Sequence, residues 1–208
     1  ALGPAMMEPD FRTESNKKGY CTKHFKMMFA VPAKLPLALV LDTHIEEVSE
    51  KLDTIRQTAQ NSDSKKRGLI KKNNTSDASQ ALSELLKKLN CDCMVCQKVN
   101  YTMERYADVL LQMWITDKYF KDKFEHSKGV CLKHLKLLSD TCRTSLKEKD
   151  RNAFMTALLD KETKELSRIK DDIHKFTLKF DHRNQNMEWG TAKDAPLRTI
   201  EKLSGYME

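Results

Sequence analysis

Glycine and proline are scarce in this chain, six and five in 208 residues, too few for the many tight turns of an all-β protein. No stretch approaches the roughly 20 consecutive apolar residues that cross a bilayer, and no basic, apolar, small-residue leader opens the sequence. A cytoplasmic protein that does not enter the membrane is therefore expected. Also missing are a GxxxxGK[ST] phosphate loop, a GxGxxG after a strand, a GxSxG elbow and an HExxH zinc helix, so nothing nominates a nucleophile with its base. What abounds instead is Leu, Lys, Glu, Met and Ala, residues that lose little freedom in a helix. With 39% apolar and 32% charged residues the composition is that of an ordinary folded chain rather than a disordered one.

The net charge of +7 raises the question of nucleic acid, but 37 Lys and Arg are interleaved with 30 Asp and Glu along most of the chain. That pattern describes solvated helix faces better than a binding stripe. The densest basic run, Lys65-Lys66-Arg67 with Lys71-Lys72, lies in a polar stretch without apolar periodicity. Residues 60–76 thus read as a flexible linker between a first helical unit, 1–59, and a second, 77–208.

Each half carries stripes of helical period. Leu37, Leu41, Ile45, Val48, Leu52, Ile55 and Ala59 form one, and Val95, Val99, Met103, Tyr106, Leu110 and Met113 another. A third runs Leu158, Glu162, Leu166, Ile169, Ile173, Phe176 and Phe180, with Glu162 a polar interruption, on a helix starting near Asp150. These are the expected core faces. Pro32 and Pro36 separate two helices. Asp77 with Gln80 opens a short helix to Leu89, and a last helix from Pro196 stops at Gly205.

The chain also repeats itself. Lys18 to Lys26 reads KGYCTKHFK and Lys128 to Lys136 reads KGVCLKHLK, six of nine positions identical at a period of 110. Each copy is a turn glycine followed by a helix that presents Cys and His three apart, on one face. A bundle built from two related helical units, each with a CxxH half-site, is the natural reading.

Cys131 and His134 can therefore grip one ion together, and Cys93-Met94-Val95-Cys96 offers two more thiolates. Structural zinc favours four N or S donors at about 2.0 to 2.3 Å, and paired donors separated by a loop are its usual sequence form. The expected set is Cys93, Cys96, Cys131 and His134. Because a straight helix over the 34 residues between Cys96 and Cys131 would span about 50 Å, that set demands a break near Ile115 to Asp117. Cys142 lies about 16 Å along the helix from Cys131 and reads as a core thiol. Cys91 is an alternative to Cys93. Cys21 and His24 form the lesser half-site, since the repeat period puts their CxxC mate 18 positions before Ala1 and the chain reads as N-terminally short.

Plainer readings stand beside this one. CxxC in a helical protein can be two packed thiols, or a redox dithiol at a helix N-terminus. His44, on an apolar helix, reads as a hydrogen-bonded histidine before it reads as a base. Lys179, Asp181, His182 and Arg183 read as salt bridges at a helix end.

Several segments together, LGPAMMEPDFR from Leu2, GYCTKHF from Gly19, LALVLDTH from Leu37, CMVC from Cys93, GVCLKHL from Gly129, and KFDHRN with KDAPLRTIEKLSG near the end, resemble a bacterial family of uncharacterised proteins, domain of unknown function 6062. The resemblance covers nearly the whole chain. It implies a cytoplasmic helical protein with paired Cys/His clusters and a CxxC-bearing segment ahead of the LGPAMMEPD stretch, and it carries no activity. The functional expectation is a zinc-stabilised binding or scaffold protein with a protein partner, not an enzyme. The alternatives are a thiol redox protein working through Cys93 and Cys96, and a nucleic-acid binder.

Overall fold

The computed structural model describes residues 2, 3, 6, 8–64, 77–184 and 186–206, and among them all regular structure is helical. The order is α1 (Pro9–Lys18), α2 (Thr22–Ala30), α3 (Lys34–Ser64), α4 (Ala78–Cys91), α5 (Met94–Thr116), α6 (Lys118–His126), α7 (Leu132–Ser145), α8 (Glu148–Leu178) and α9 (Ala195–Ser204), with single 3-10 turns at His182–Asn184 and Gly190–Ala192. None of the described helices is long and apolar enough to cross a membrane.

Local chemistry accounts for most boundaries. α2 stops at Ala30 ahead of Pro32, and Pro36 falls in the first turn of α3, where its missing N–H is harmless. Asp77 caps α4 by accepting from the Ser79 N–H at 2.9 Å, while Gln80 turns away from the cap and donates to Glu84. Asp117 caps α6 by accepting from the N–H groups of Tyr119 and Phe120, so the break after α5 falls where the spacing argument put it. α9 ends on Gly205, whose φ of 93° belongs to the region glycine tolerates.

The chain divides into two compact units, residues 1–101 and 102–208, with α5 contributing residues to each. In the first unit α1, α2 and α4 all pack on α3. The stretch expected to separate the units therefore lies between two helices of one unit: its first residues, to Ser64, prolong α3, and 65–76 lie outside the described residues. The core is small, made of Met6, Tyr20, Met28, Leu37, Val40, Cys93 and Met94. Leu37 is in it as expected, but Leu41, Ile45 and Leu52 stay exposed, Ile45 by 66%. The face of α3 that α1 meets runs instead through Thr43 and His44. Arg12 donates to Thr43, Thr43 to the Asn16 side chain, and the His44 ring lies 2.7 Å from the Asn16 carbonyl. α1 is polar, so its contact with α3 is made by hydrogen bonds.

The second unit holds a larger core: Ala107, Leu111, Trp114, Phe124, Leu138, Cys142, Leu146, Phe154 and Leu158. The Trp114 and Phe124 rings flank Phe154, with centroids at 5.2 and 5.9 Å. On the part of α5 in this unit the buried positions are Ala107, Leu111 and Trp114, one place on from the expected stripe, and Tyr106 is 65% exposed. Cys142 is fully buried, as a core thiol. Lys161 reaches over from α8 to the carbonyls of Glu125 and Ser127 and so ties down the end of α6.

Glu162, the polar interruption in the α8 stripe, is buried with a partner for each oxygen. Oε1 accepts the Val130 N–H at 2.7 Å and Oε2 accepts Lys202 of α9, itself buried. One carboxylate thus joins α8, the Gly129 turn and α9. Removing a single partner of such a pair strands a buried charge. Glu162→Ala is accordingly expected to lower the urea-unfolding free energy by about 3–5 kcal/mol, and a loss below about 1 kcal/mol would show that the pair is dispensable.

Candidate metal centre

The two repeated segments adopt the same local conformation. Gly19 has φ 64° and Gly129 φ 69°, values open to glycine at no steric cost. Two residues on, each cysteine is the extended N-cap of a helix, Cys21 at φ −72°, ψ 164° and Cys131 at φ −71°, ψ 160°. The histidine follows in the first helical turn, so that the Nδ1 of His24 lies 3.2 Å from Cys21 Sγ and the Nδ1 of His134 lies 3.4 Å from Cys131 Sγ. Each glycine also meets a polar side chain from a long helix. A Cβ on Gly19 would lie 2.6 Å from the His44 ring, and one on Gly129 would lie 2.2 Å from Glu162 Oε1. His44 is thus the hydrogen-bonded histidine expected, packed over the turn.

In the first unit the CxxC segment docks on this turn. Met94 donates its backbone N–H to the Gly19 carbonyl at 3.1 Å, while the Tyr20 hydroxyl lies 3.8 Å from the Met94 sulphur in the core. Cys93 and Cys96 then close on the half-site. Both sulphurs face His24 Nδ1, at 3.2 and 3.4 Å, and Cys21 Sγ lies 3.8 Å from Cys96 Sγ. All four donor atoms fall within 4.8 Å of one another, and Cys93 is buried while the other three are partly so.

Three thiols and an imidazole nitrogen facing a common centre can hold a metal ion. In the structure the CxxC pair faces Cys21 with His24, the half-site ranked lower from sequence, and four candidate donors gather there. Cys131 and His134 belong to the second unit, and Cys91 is exposed and outside the cluster. The sequence signal for this pairing was present in the CxxH motif itself. What was missing was the long-range contact that joins residues 21 and 93.

Electrostatics in the cluster favour one thiolate. Burial opposes ionisation of Cys93, but donation to its sulphur from the backbone N–H groups of Cys21 and Cys96, the Cys96 thiol and His24 outweighs it and brings the pKa down to about 6. Cys96 is pushed up to about 11, first by burial, then by sharing its proton with Cys93 and Cys21 and by their negative charge. A thiolate at a helix N-terminus also has the favourable end of the helix dipole.

The other singled-out groups are structural. Asp181 pairs with Arg183, its carboxylate held below the usual range by hydrogen bonds from that side chain, and His182 is exposed beside it. Lys179 lies 5.8 Å from the Trp189 ring centre. Near them Asp172 accepts from Thr191 and Arg198 and lies against Arg168, which anchors α9 and the Gly190 turn to α8.

No curated protein and no solved structure matches this chain. A family model spans all of residues 1–208, and the chain belongs to the family of unknown function DUF6062.

Proposed function

We propose that this protein is a non-enzymatic, zinc-stabilised helical binding module, in which one ion held by Cys21, His24, Cys93 and Cys96 fastens the start of α2 to the start of α5. The observation that carries this reading is the size of the donor cluster. Bonds of about 2.3 Å to sulphur and 2.0–2.1 Å to nitrogen, at tetrahedral angles, give edges of about 3.8 Å between sulphurs and about 3.5 Å between sulphur and nitrogen. The cluster has 3.8 Å between Cys21 and Cys96 and 3.2–3.4 Å from each sulphur to His24 Nδ1. Four protein donors close the coordination sphere, whereas a catalytic zinc keeps a position for water. The small core among the described residues of the first unit supports such an ion, since domains with little to bury rely on staples. Structural zinc contributes on the order of 10 kcal/mol or more in small zinc peptides. With mixed surface charge and no catalytic constellation, another protein is the proposed partner and a cellular, membrane-free setting the proposed location.

A thiol redox role has one observation in its favour, the lowered pKa of Cys93 beside two further thiols. It requires an oxidant such as a peroxide to take two electrons from the Cys93–Cys96 pair, whose sulphurs, within 4.8 Å of each other, would have to close to about 2.05 Å. Elemental mass spectrometry of protein purified without added metal separates the readings. About one tightly held zinc per chain is expected, lost in Cys96→Ser and kept in Cys131→Ser. Metal-free protein that readily forms a Cys93–Cys96 disulfide would replace the zinc reading with the redox one, and zinc loss in Cys131→Ser would restore the pairing expected from sequence.

Proton competition gives a second test. Between about pH 6 and 11 Cys93 has already lost its proton and Cys96 retains it, so binding must displace at least the Cys96 proton. Apparent zinc affinity should therefore rise with pH, about tenfold per unit for each proton displaced, in chelator competitions at about pH 6.5, 7.5 and 8.5. An affinity independent of pH over that range would remove Cys96 from the ligand set.

A further inference from the structure

We infer that Cys131 and His134 are half of a second tetrahedral metal site, completed by a CxxC helix start supplied by a partner segment. The inference uses residues apart from the first cluster, and takes from it only the shape of a completed site. Three observations lead to it.

The first is the local geometry. The N-cap cysteine, the first-turn histidine and the sulphur-to-Nδ1 approach of 3.4 Å reproduce the half-site that meets Cys93 and Cys96 in the first unit, where the approach is 3.2 Å. His134 Nδ1 faces Cys131 Sγ in the preceding turn, the orientation in which the two can share one ion.

The second is the acceptor beside it. In the first unit the Gly19 carbonyl takes the N–H of Met94 and so registers the incoming CxxC helix. The Gly129 carbonyl occupies the same place in the second turn, and among the described residues no backbone N–H reaches it. The docking edge that the CxxC segment uses in one unit is present and open in the other.

The third is access. Cys131 is only partly buried and His134 is exposed. The turn beneath is held independently of any ion, by Glu162 accepting the Val130 N–H and pairing with Lys202. The half-site is thus rigid before its ligand arrives, which lowers the entropic cost of completing it.

The occupant this geometry selects is a thiophilic divalent ion together with two cysteines three apart at a helix N-terminus. The test uses the full chain with its first site zinc-loaded, cobalt(II) as the ion, and a synthetic peptide of residues 92–101, DCMVCQKVNY, as the CxxC donor. Cobalt and peptide together should bind the chain with thiolate-to-cobalt absorption and the visible bands of tetrahedral cobalt. The absorption should be lost in Cys131→Ser and in His134→Ala. Serine is itself a favoured N-cap, so the first variant keeps its helix. A variant without any donor of the first cluster, Cys21→Ser with His24→Ala, Cys93→Ser and Cys96→Ser, should leave the signal in place, so failure of the zinc reading and failure of this one are separable. Equal cobalt spectra for the wild type and Cys131→Ser in the presence of peptide would overturn the inference.

Discussion

The hydrogen bond from the Met94 N–H to the Gly19 carbonyl is the contact on which the first unit turns. It joins two stretches far apart in sequence, sets the start of α5 against the start of α2, and places Cys93 and Cys96 over Cys21 and His24. The geometry of the glycine makes it possible. At φ 64° the turn aims its carbonyl outward just before an N-cap cysteine, and a side chain at that position would collide with His44. Two helix N-termini consequently meet at one point. Three thiolates around a divalent ion carry a net negative charge, and the positive ends of two helices are a suitable counterweight.

The units solve the same local problem with different materials. His44, hydrogen-bonded to the Asn16 carbonyl, covers the first glycine turn, and Glu162, paired with Lys202, covers the second. The first unit has a polar α1 and a core that includes two of the site's neighbours, Tyr20 and Met94. The second has a larger, aromatic core around Phe154.

Element ends were legible because each is punctuated by a residue with a local effect: Pro32, Pro36, Asp77, Asp117 and Gly205 act within a turn of where they stand. The CxxH turns were legible for the same reason. Core faces were read less well. On α3 the apolar stripe includes Leu41, Ile45 and Leu52, yet the helix meets α1 through Thr43 and His44, because hydrogen bonds to Arg12, Asn16 and the Asn16 carbonyl determine that contact. Periodicity weighs apolar groups and is blind to such a face. The α1 helix itself went unread, being nearly all polar. Which CxxH turn lies beside the CxxC was beyond a spacing argument: two turns are offered for one CxxC, and the contacts of Met94 with Gly19 and Tyr20 that bring Cys93 and Cys96 to the first appear only in three dimensions.

The Glu162–Lys202 pair gives the two units different places in time during synthesis. Everything that encloses the first cluster lies within residues 1–101, so that unit can close while the ribosome is still translating the second. The Gly129 turn must wait. Its buried carboxylate lacks its ion-pair partner until α9, the last helix of the order, has emerged and docked. Domains generally fold as units during synthesis, the N-terminal one first, and here a single late lysine makes completion of the second unit coincide with the arrival of its final helix.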